Sequence, residues 1–256
     1  MRVETVEVRF GGVAALAGVD LEAAARRVTG LIGPNGAGKT TLFNVITGLQ
    51  APTAGRVYLD DRDITDVKPH QRARLRMART FQRLEVFGSL TTRENIMVAA
   101  EARRDWTRDK QEKEDPTRVT EEILDRVGLR SVAASPVDSL PTGLARLVEL
   151  GRAMATRPRL LLLDEPGSGL DEHETEELAG ILLELAREGM AVLLVEHDVE
   201  LVMRVCTEIF VLDFGRLIAQ GTPAEIQGNE LVHAAYLGTE DDARDTGLEA
   251  MEDAAR

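Results

Sequence analysis

Polar and apolar residues alternate from Val3 to Phe10, with Val6, Val8 and Phe10 on one face, and Gly11-Gly12 behind them reads as a turn. Alternation returns at Val19, Leu21 and Ala23, so the chain opens with two strands in antiparallel style, a small β-layer. Val28 to Ile32 is predominantly apolar and reads as a strand; Lys39 to Thr47 has the spacing of an amphipathic helix. Pro52-Thr53-Ala54-Gly55 marks a turn before a short strand over Arg56 to Asp60. Pro69 begins a basic helix, to about Ala78, whose Arg72, Arg74 and Arg76 read as a solvated face.

From Thr91 to about Arg157 the period becomes helical throughout, over Thr91 to Ala102, Thr117 to Val127 and Gly143 to Thr156. Glu94 stands three residues after Thr91, the spacing of a capping box. Between the first two helices, Arg103 to Asp115 is dense in charges of both signs and reads as an exposed excursion. This block, residues 83–158, is read as a helical subdomain inserted into an α/β core. The α/β rhythm resumes at Leu160-Leu161-Leu162-Leu163-Asp164-Glu165, a strand buried on both faces that ends in acids. Helix Glu172 to Glu188, strand Ala191 to Val195, helix Val199 to Val205, strand Glu208 to Leu212 and a hairpin through Asp213-Phe214-Gly215-Arg216 follow. Pro223 to Leu237 reads as two short helices that close the domain at residue 238. In residues 239–256, Glu240 to Arg256 carries seven acids against two arginines, one Leu and no aromatic, the composition of a disordered tail.

Composition narrows the classes. A chain of 256 residues with 43% hydrophobic and 29% charged positions can bury a full core, and with 4% aromatics that core is aliphatic. The net charge of −13 argues against non-specific nucleic-acid binding, which needs basic surfaces, but leaves room for a nucleotide held by a local nest of donors. Cys206 is the only cysteine, so no intrachain disulfide forms. The first residues lack the apolar core of a secretory signal, and no apolar run approaches the roughly 20 residues that span a bilayer. A membrane role therefore has to come through a partner.

The chemistry centres on Gly33-Pro34-Asn35-Gly36-Ala37-Gly38-Lys39-Thr40-Thr41, which fits G-x-x-x-x-G-K-[ST] between a strand and a helix. The glycines let successive N–H groups turn inward on a polyphosphate, Lys39 reaches the β- and γ-phosphates, and the Thr40 hydroxyl is offered to Mg²⁺. Asp164, at the end of the four-leucine strand, supplies the second half of such a site by holding Mg²⁺ directly or through water. Glu165 beside it is placed to polarise the attacking water. An acid pair at a strand end is common by itself; the phosphate loop upstream gives this one its function. His197 follows the next apolar strand, and adjacent parallel strands end at one edge, so it falls near the γ-phosphate as a neutral donor. Phe10 is either a core aromatic or a face on which adenine stacks.

The order of these motifs resembles the ATP-binding subunit of an ABC transporter, over about Val3 to Gly238. Gly33 to Thr41 matches the phosphate loop, Gln82 the glutamine loop, Leu160 to Glu165 the second acidic motif, Ser168-Gly169-Leu170-Asp171 the loop after it, and His197 the switch histidine. The resemblance implies a P-loop NTPase core with a mostly parallel sheet, an antiparallel β-layer and an inserted helical subdomain. It implies ATP and Mg²⁺ as cofactors. Phe10 then stacks on adenine, Gln82 links Mg²⁺ to the transporter interface, and Asp171 crosses a dimer interface. The implied partners are two transmembrane permease subunits, a second copy or a second ATPase as dimer mate, and indirectly a solute-binding protein, with no nucleic acid. The place of work is the cytoplasmic face of the cell membrane. Arg9-Phe10-Gly11-Gly12-Val13, Arg79-Thr80-Phe81-Gln82, Val195-Glu196-His197-Asp198 and Tyr236-Leu237-Gly238 resemble, more narrowly, the subunits that energise branched-chain amino acid import. Importers of urea, amides or aromatic acids share much of this pattern.

One departure stands out. The family signature L-S-x-G-Q appears as Leu140-Pro141-Thr142-Gly143-Leu144. Gly143 is kept for close approach to the phosphate of an opposite subunit, but Pro141 has neither hydroxyl nor N–H. The lost hydrogen bond to a charged group costs about 1.5–3 kcal/mol where nothing replaces it, and Thr142 is the nearest substitute. Two rival readings follow: a regulatory subunit with impaired hydrolysis, and a soluble ABC ATPase acting on ribosomes or DNA. The second predicts a double ATPase unit or long coiled-coil insertions, and neither is in the sequence.

Overall fold

The computed structural model describes residues 1–235. The stretch Tyr236-Leu237-Gly238 and the acidic segment 239–256 lie outside the described residues. The chain runs β1 (Arg2–Phe10), β2 (Val13–Glu22), β3 (Arg27–Ile32), α1 (Lys39–Thr47), β4 (Ala54–Leu59), β5 (Arg62–Asp63), α2 (Pro69–Arg74) and β6 (Met77–Arg79). Helices α3 (Thr92–Trp106), α4 (Pro116–Arg126) and α5 (Thr142–Ala155) come next. The core then resumes with β7 (Leu160–Asp164), α6 (Glu172–Arg187), β8 (Ala191–Val195), α7 (Val199–Val205), β9 (Glu208–Asp213), β10 (Arg216–Gly221) and α8 (Pro223–Gln227). Helix returns over 230–235.

Two sheets form. The larger has strand order β10-β9-β3-β8-β7-β6 and is parallel except for β10; the smaller, β2-β1-β4-β5, is antiparallel. This is an α/β P-loop NTPase architecture. The four-leucine strand shows how the layers are glued. Leu161 and Leu163 pack with Val148, Leu150, Leu178 and Leu182 of α5 and α6. Leu160 and Leu162 join the opposite cluster with Leu42, Ile46 and Val8, so β7 is apolar on both faces because both are covered. Helices α3, α4 and α5 pack on one another between β6 and β7, and Ile96 and Ile123 continue the same core. The expected capping box forms: Thr91 Oγ1 accepts from the Glu94 N–H, and Glu94 Oε2 accepts from the Thr91 N–H at 2.8 Å.

Three expectations change. The basic helix from Pro69 is shorter than its pattern suggests: α2 stops at Arg74, Arg76 takes a left-handed turn with φ 68°, and residues 77–79 are strand. Arg72 is not solvated but 2% exposed. Its guanidinium donates to the carbonyls of Val45, Ile46, Thr65 and Val67, closing the C-terminal end of α1, where carbonyls lack intrahelical partners. Of the two readings left open for Phe10, core aromatic or adenine face, the core one does not hold. Val3, Val6 and Val8 are buried, but the register shifts between Val8 and Arg9, and Phe10 stands 54% exposed at the hairpin end. The charged stretch from Arg103 is only partly an excursion, because residues 103–106 are the last turn of α3 and Thr107 is buried.

Candidate functional site

The phosphate loop joins the end of β3 to the start of α1, in the centre of the parallel sheet. Gly33 has φ 150°, and a Cβ there would lie 2.0 Å from the Leu212 carbonyl oxygen; at Gly38, with φ 107°, it would lie 2.7 Å from that of Ala15. Both positions admit only glycine. Gly38 caps α1 without a side-chain bond, so the N–H groups of the first turn face outward at the positive end of the helix dipole. Lys39 Nζ donates to the carbonyls of Gly33 at 2.6 Å and Pro34 at 2.9 Å, and burial holds its ammonium below the usual lysine range. A polyphosphate offers that ammonium anionic acceptors in place of the neutral carbonyls.

The acids arrive by strand register. Asp164 pairs with Val195 across β7 and β8, so Glu165 and Glu196 follow at one sheet edge, with His197 next. His197 Nε2 is 2.9 Å from Glu165 Oε1; a carboxylate only accepts, so Nε2 carries the proton. Gln82 Nε2 donates to the same oxygen at 3.4 Å. Glu165 takes φ 53°, a left-handed conformation uncommon outside glycine, which turns its side chain toward His197 and Gln82. Residues Asn35 to Thr41, Gln82, Asp164, Glu165, Val195 and His197 line one cavity of 260 Å³. The Thr40 hydroxyl, the Asp164 carboxylate and the Gln82 amide oxygen there are hard oxygen donors, the ligand chemistry that suits Mg²⁺ completed by phosphate and water. Among the described residues no group of three or more His, Cys, Asp or Glu gathers as a self-sufficient metal site.

Burial pushes the Asp164 carboxyl up, and the hydrogen bond from Arg79 opposes it. Arg79 Nη2 donates to Asp164 Oδ2 at 3.0 Å, while the Asp164 N–H donates to Thr80 Oγ1 at 3.2 Å. The residues that approach Gln82 from behind come from α5. Arg146 donates to the carbonyls of Phe81, at 2.7 Å, and Gln82; Glu149 Oε1 accepts from the Phe81 N–H at 3.1 Å. Glu196 ties the histidine strand to the loop after β7 by accepting from the Gly167 N–H at 2.6 Å and from the His197 N–H at 3.1 Å. Arg79, Arg146 and Glu196 are not marked out as site residues by the sequence pattern. The available signal is a charged residue flanked by apolar ones in a strand or helix destined for burial, which requires a partner.

Other expected site residues lie elsewhere. Thr142 and Gly143 open α5, next to the loop after β7: a Cβ on Gly143 would meet the Gly169 carbonyl and Glu174 Oε2, each at 2.9 Å. Pro141 precedes α5 and gives it no side-chain cap. Asp171 caps α6 reciprocally with Glu174. Thr142, Gly143, Asp171 and Phe10 do not line the phosphate-loop cavity.

The ABC transporter family model matches residues 16–168, and a model for branched-chain amino acid ATP-binding cassette transporters matches residues 216–242. The chain is 37% identical over 248 residues to the high-affinity branched-chain amino acid transport ATP-binding protein BraF of Pseudomonas aeruginosa, covering 93% of this chain and 97% of that one. A nucleotide-free ATP-binding cassette from an ABC transporter superposes with a TM-score of 0.80 at 28% identity, over 92% of this chain and 97% of that one. A dimeric cassette in a post-hydrolysis state, bound to ADP and Pi, gives 0.76 at 25% identity over 87% and 98%. The chain belongs to the ABC transporter family and is one of its ATP-binding, ATP-hydrolysing subunits.

Proposed function

We propose that this subunit drives an importer of branched-chain amino acids from the inner face of the cell membrane, docked beneath two permease subunits. The contact of His197 with Glu165 at the mouth of the phosphate-loop cavity carries the catalytic part of the reading. The likeness to BraF carries the substrate class.

ATP enters with its β- and γ-phosphates on the N–H groups of α1 and the Lys39 ammonium, which leaves the Gly33 and Pro34 carbonyls for them. Thr40, Asp164 and Gln82 are the residues that would hold Mg²⁺, which would supply charge neutralisation to the transferring phosphoryl group. Glu165 accepts the proton of the attacking water. The water oxygen bonds to the γ-phosphorus as the bond to the β-γ bridging oxygen breaks, leaving ADP and phosphate. His197 turns its Nε2–H from Glu165 to the γ-phosphate, which frees the carboxylate for water. The exposed Phe10 ring stacks on adenine.

Thr142 and Gly143, at the start of α5, do not line their own phosphate-loop cavity, so in this reading a second subunit supplies them. Two chains face each other head to tail with Asp171 at the seam, and loss of the γ-phosphate loosens the pair. A groove of 430 Å³ between α2, α3 and α5, with Leu49, Phe81, Phe87 and Val98 exposed along it, receives the permease beside the block 83–158. Among the described residues no helix is long and apolar enough to cross a membrane. Mass spectrometry of what copurifies with the tagged chain from gently solubilised native membranes tests this reading. Two multi-span permeases and a branched-chain amino acid binding protein are expected. Ribosomes, DNA-repair factors or the permeases of another solute would overturn it.

A further inference from the structure

Arg79 belongs to the stretch Arg79-Thr80-Phe81-Gln82, and the role given to Gln82 leaves it unexplained. Its side chain is only 6% exposed, and a buried guanidinium persists only where its donors are used. Nη2 takes Asp164 Oδ2 at 3.0 Å, Nη1 takes Asn44 Oδ1 at 2.6 Å, and Nε takes the Thr80 carbonyl at 3.2 Å. The guanidinium carbon lies 5.3 Å from the Phe43 ring centroid and 4.8 Å from that of Phe81. Arg79 and Phe81 also line the 430 Å³ groove, whereas Asp164 lines the phosphate-loop cavity, and no residue lines both. One side chain therefore bonds the acid of the nucleotide site and forms part of the wall of the groove.

We infer that Arg79 is a positioning residue: it fixes the Asp164 carboxylate for the divalent cation and carries the state of the groove to that cation. With Oδ2 taken by Arg79, the carboxylate plane is set and Oδ1 is left for the metal or its water. Phe81 is exposed on the groove and stacks on the same guanidinium, so an occupant that shifts the ring shifts the anchor of Asp164. The inference rests on the proposed function, since the groove is taken to hold the permease.

The test is Mn²⁺ binding to the ATP-loaded chain, followed by electron paramagnetic resonance, for Arg79→Met and Arg79→Lys. ATP binding in EDTA serves as the control. Arg79→Met is expected to weaken Mn²⁺ by about tenfold or more, the usual cost of losing a partner that orients a metal ligand, and to leave metal-free ATP binding within about twofold. Arg79→Lys restores part of the loss. In the permease-bound assembly the wild-type Mn²⁺ affinity changes relative to the free chain, and in Arg79→Met it does not. Wild-type Mn²⁺ affinity in a folded Arg79→Met protein would overturn the inference. If that variant does not fold, Asn44→Ala removes a second anchor of the guanidinium and is expected to shift Mn²⁺ affinity in the same direction; an unchanged affinity there also overturns it. Glu165→Gln separates the two levels: a hydrolytically inert Glu165→Gln with normal Mn²⁺ binding in Arg79→Met leaves the functional reading standing and removes only this one.

Discussion

Single side chains in this protein are held by bonds that span long stretches of chain. Lys39, Asp164, Glu165 and His197 are legible in the sequence because a motif fixes their spacing and a parallel sheet brings strand ends to one edge. The Arg79 contact to Asp164, 85 positions away, is not legible, since nothing local in a strand says which acid a buried arginine will meet. Which of the two readings of Phe10 holds is not legible for a related reason: alternation gives a face but not the register shift after Val8, beyond which Phe10 stands exposed rather than in the core. Cys206 gives this scale a direct readout. Burial pushes its thiol up to about 12, and its sulfur packs on Gly30. At about pH 8, disulfide reagents should label native protein at least on the order of a hundredfold more slowly than protein in concentrated urea. Equal rates would show that the α7–β3 contact opens freely.

At the scale of elements, the helices and strands follow from their periods, and the ends of α3, α4, α5 and α6 fall within a few residues of where caps and acids place them. Helix α2 is the exception. Its charge pattern is that of a surface helix, and only the tertiary fold reveals that Arg72 plugs the end of α1. Arg72→Met should leave the carbonyls of Val45 and Ile46 without that donor in the core and cost about 3 kcal/mol or more, read as a lower urea midpoint. A change within about 0.5 kcal/mol would return Arg72 to the solvated face. The helical layer has its own clamp, Arg157 bonded to Glu114 and Glu122 of α4 and its approach. Hydrogen bonds from Arg157 hold the Glu122 carboxyl below the usual range; burial pushes Glu114 up, but Arg157 and Arg118 bring it below as well. Folded protein therefore binds these protons more weakly than unfolded chain. The contribution is whole above the ordinary carboxylate range and is lost as pH falls through the depressed values. These groups are partly exposed, so Arg157→Met is expected to cost on the order of 1 kcal/mol at about pH 7 and progressively less as pH falls below the ordinary carboxylate range. An unchanged difference across that range would assign the clamp to packing rather than charge.

For the whole molecule, the described residues form a complete phosphate loop and acid edge but leave Thr142, Gly143 and Asp171 outside it. The sequence supplies both sets, the family resemblance implies that Gly143 and Asp171 face an opposite subunit, and the fold leaves them outside the cavity. In the proposed assembly this division is met by a second subunit, and the groove beside Arg79 is where the proposal docks the permease. The central claim is that Glu165 drives hydrolysis within that assembly. Its most direct test is steady-state phosphate release by the permease-bound complex carrying wild-type or Glu165→Gln subunits, with ATP binding measured alongside. Loss of the base should lower turnover by at least about a hundredfold while ATP binding stays intact. Turnover at the wild-type rate would contradict the account, because the water would then be activated by some other group.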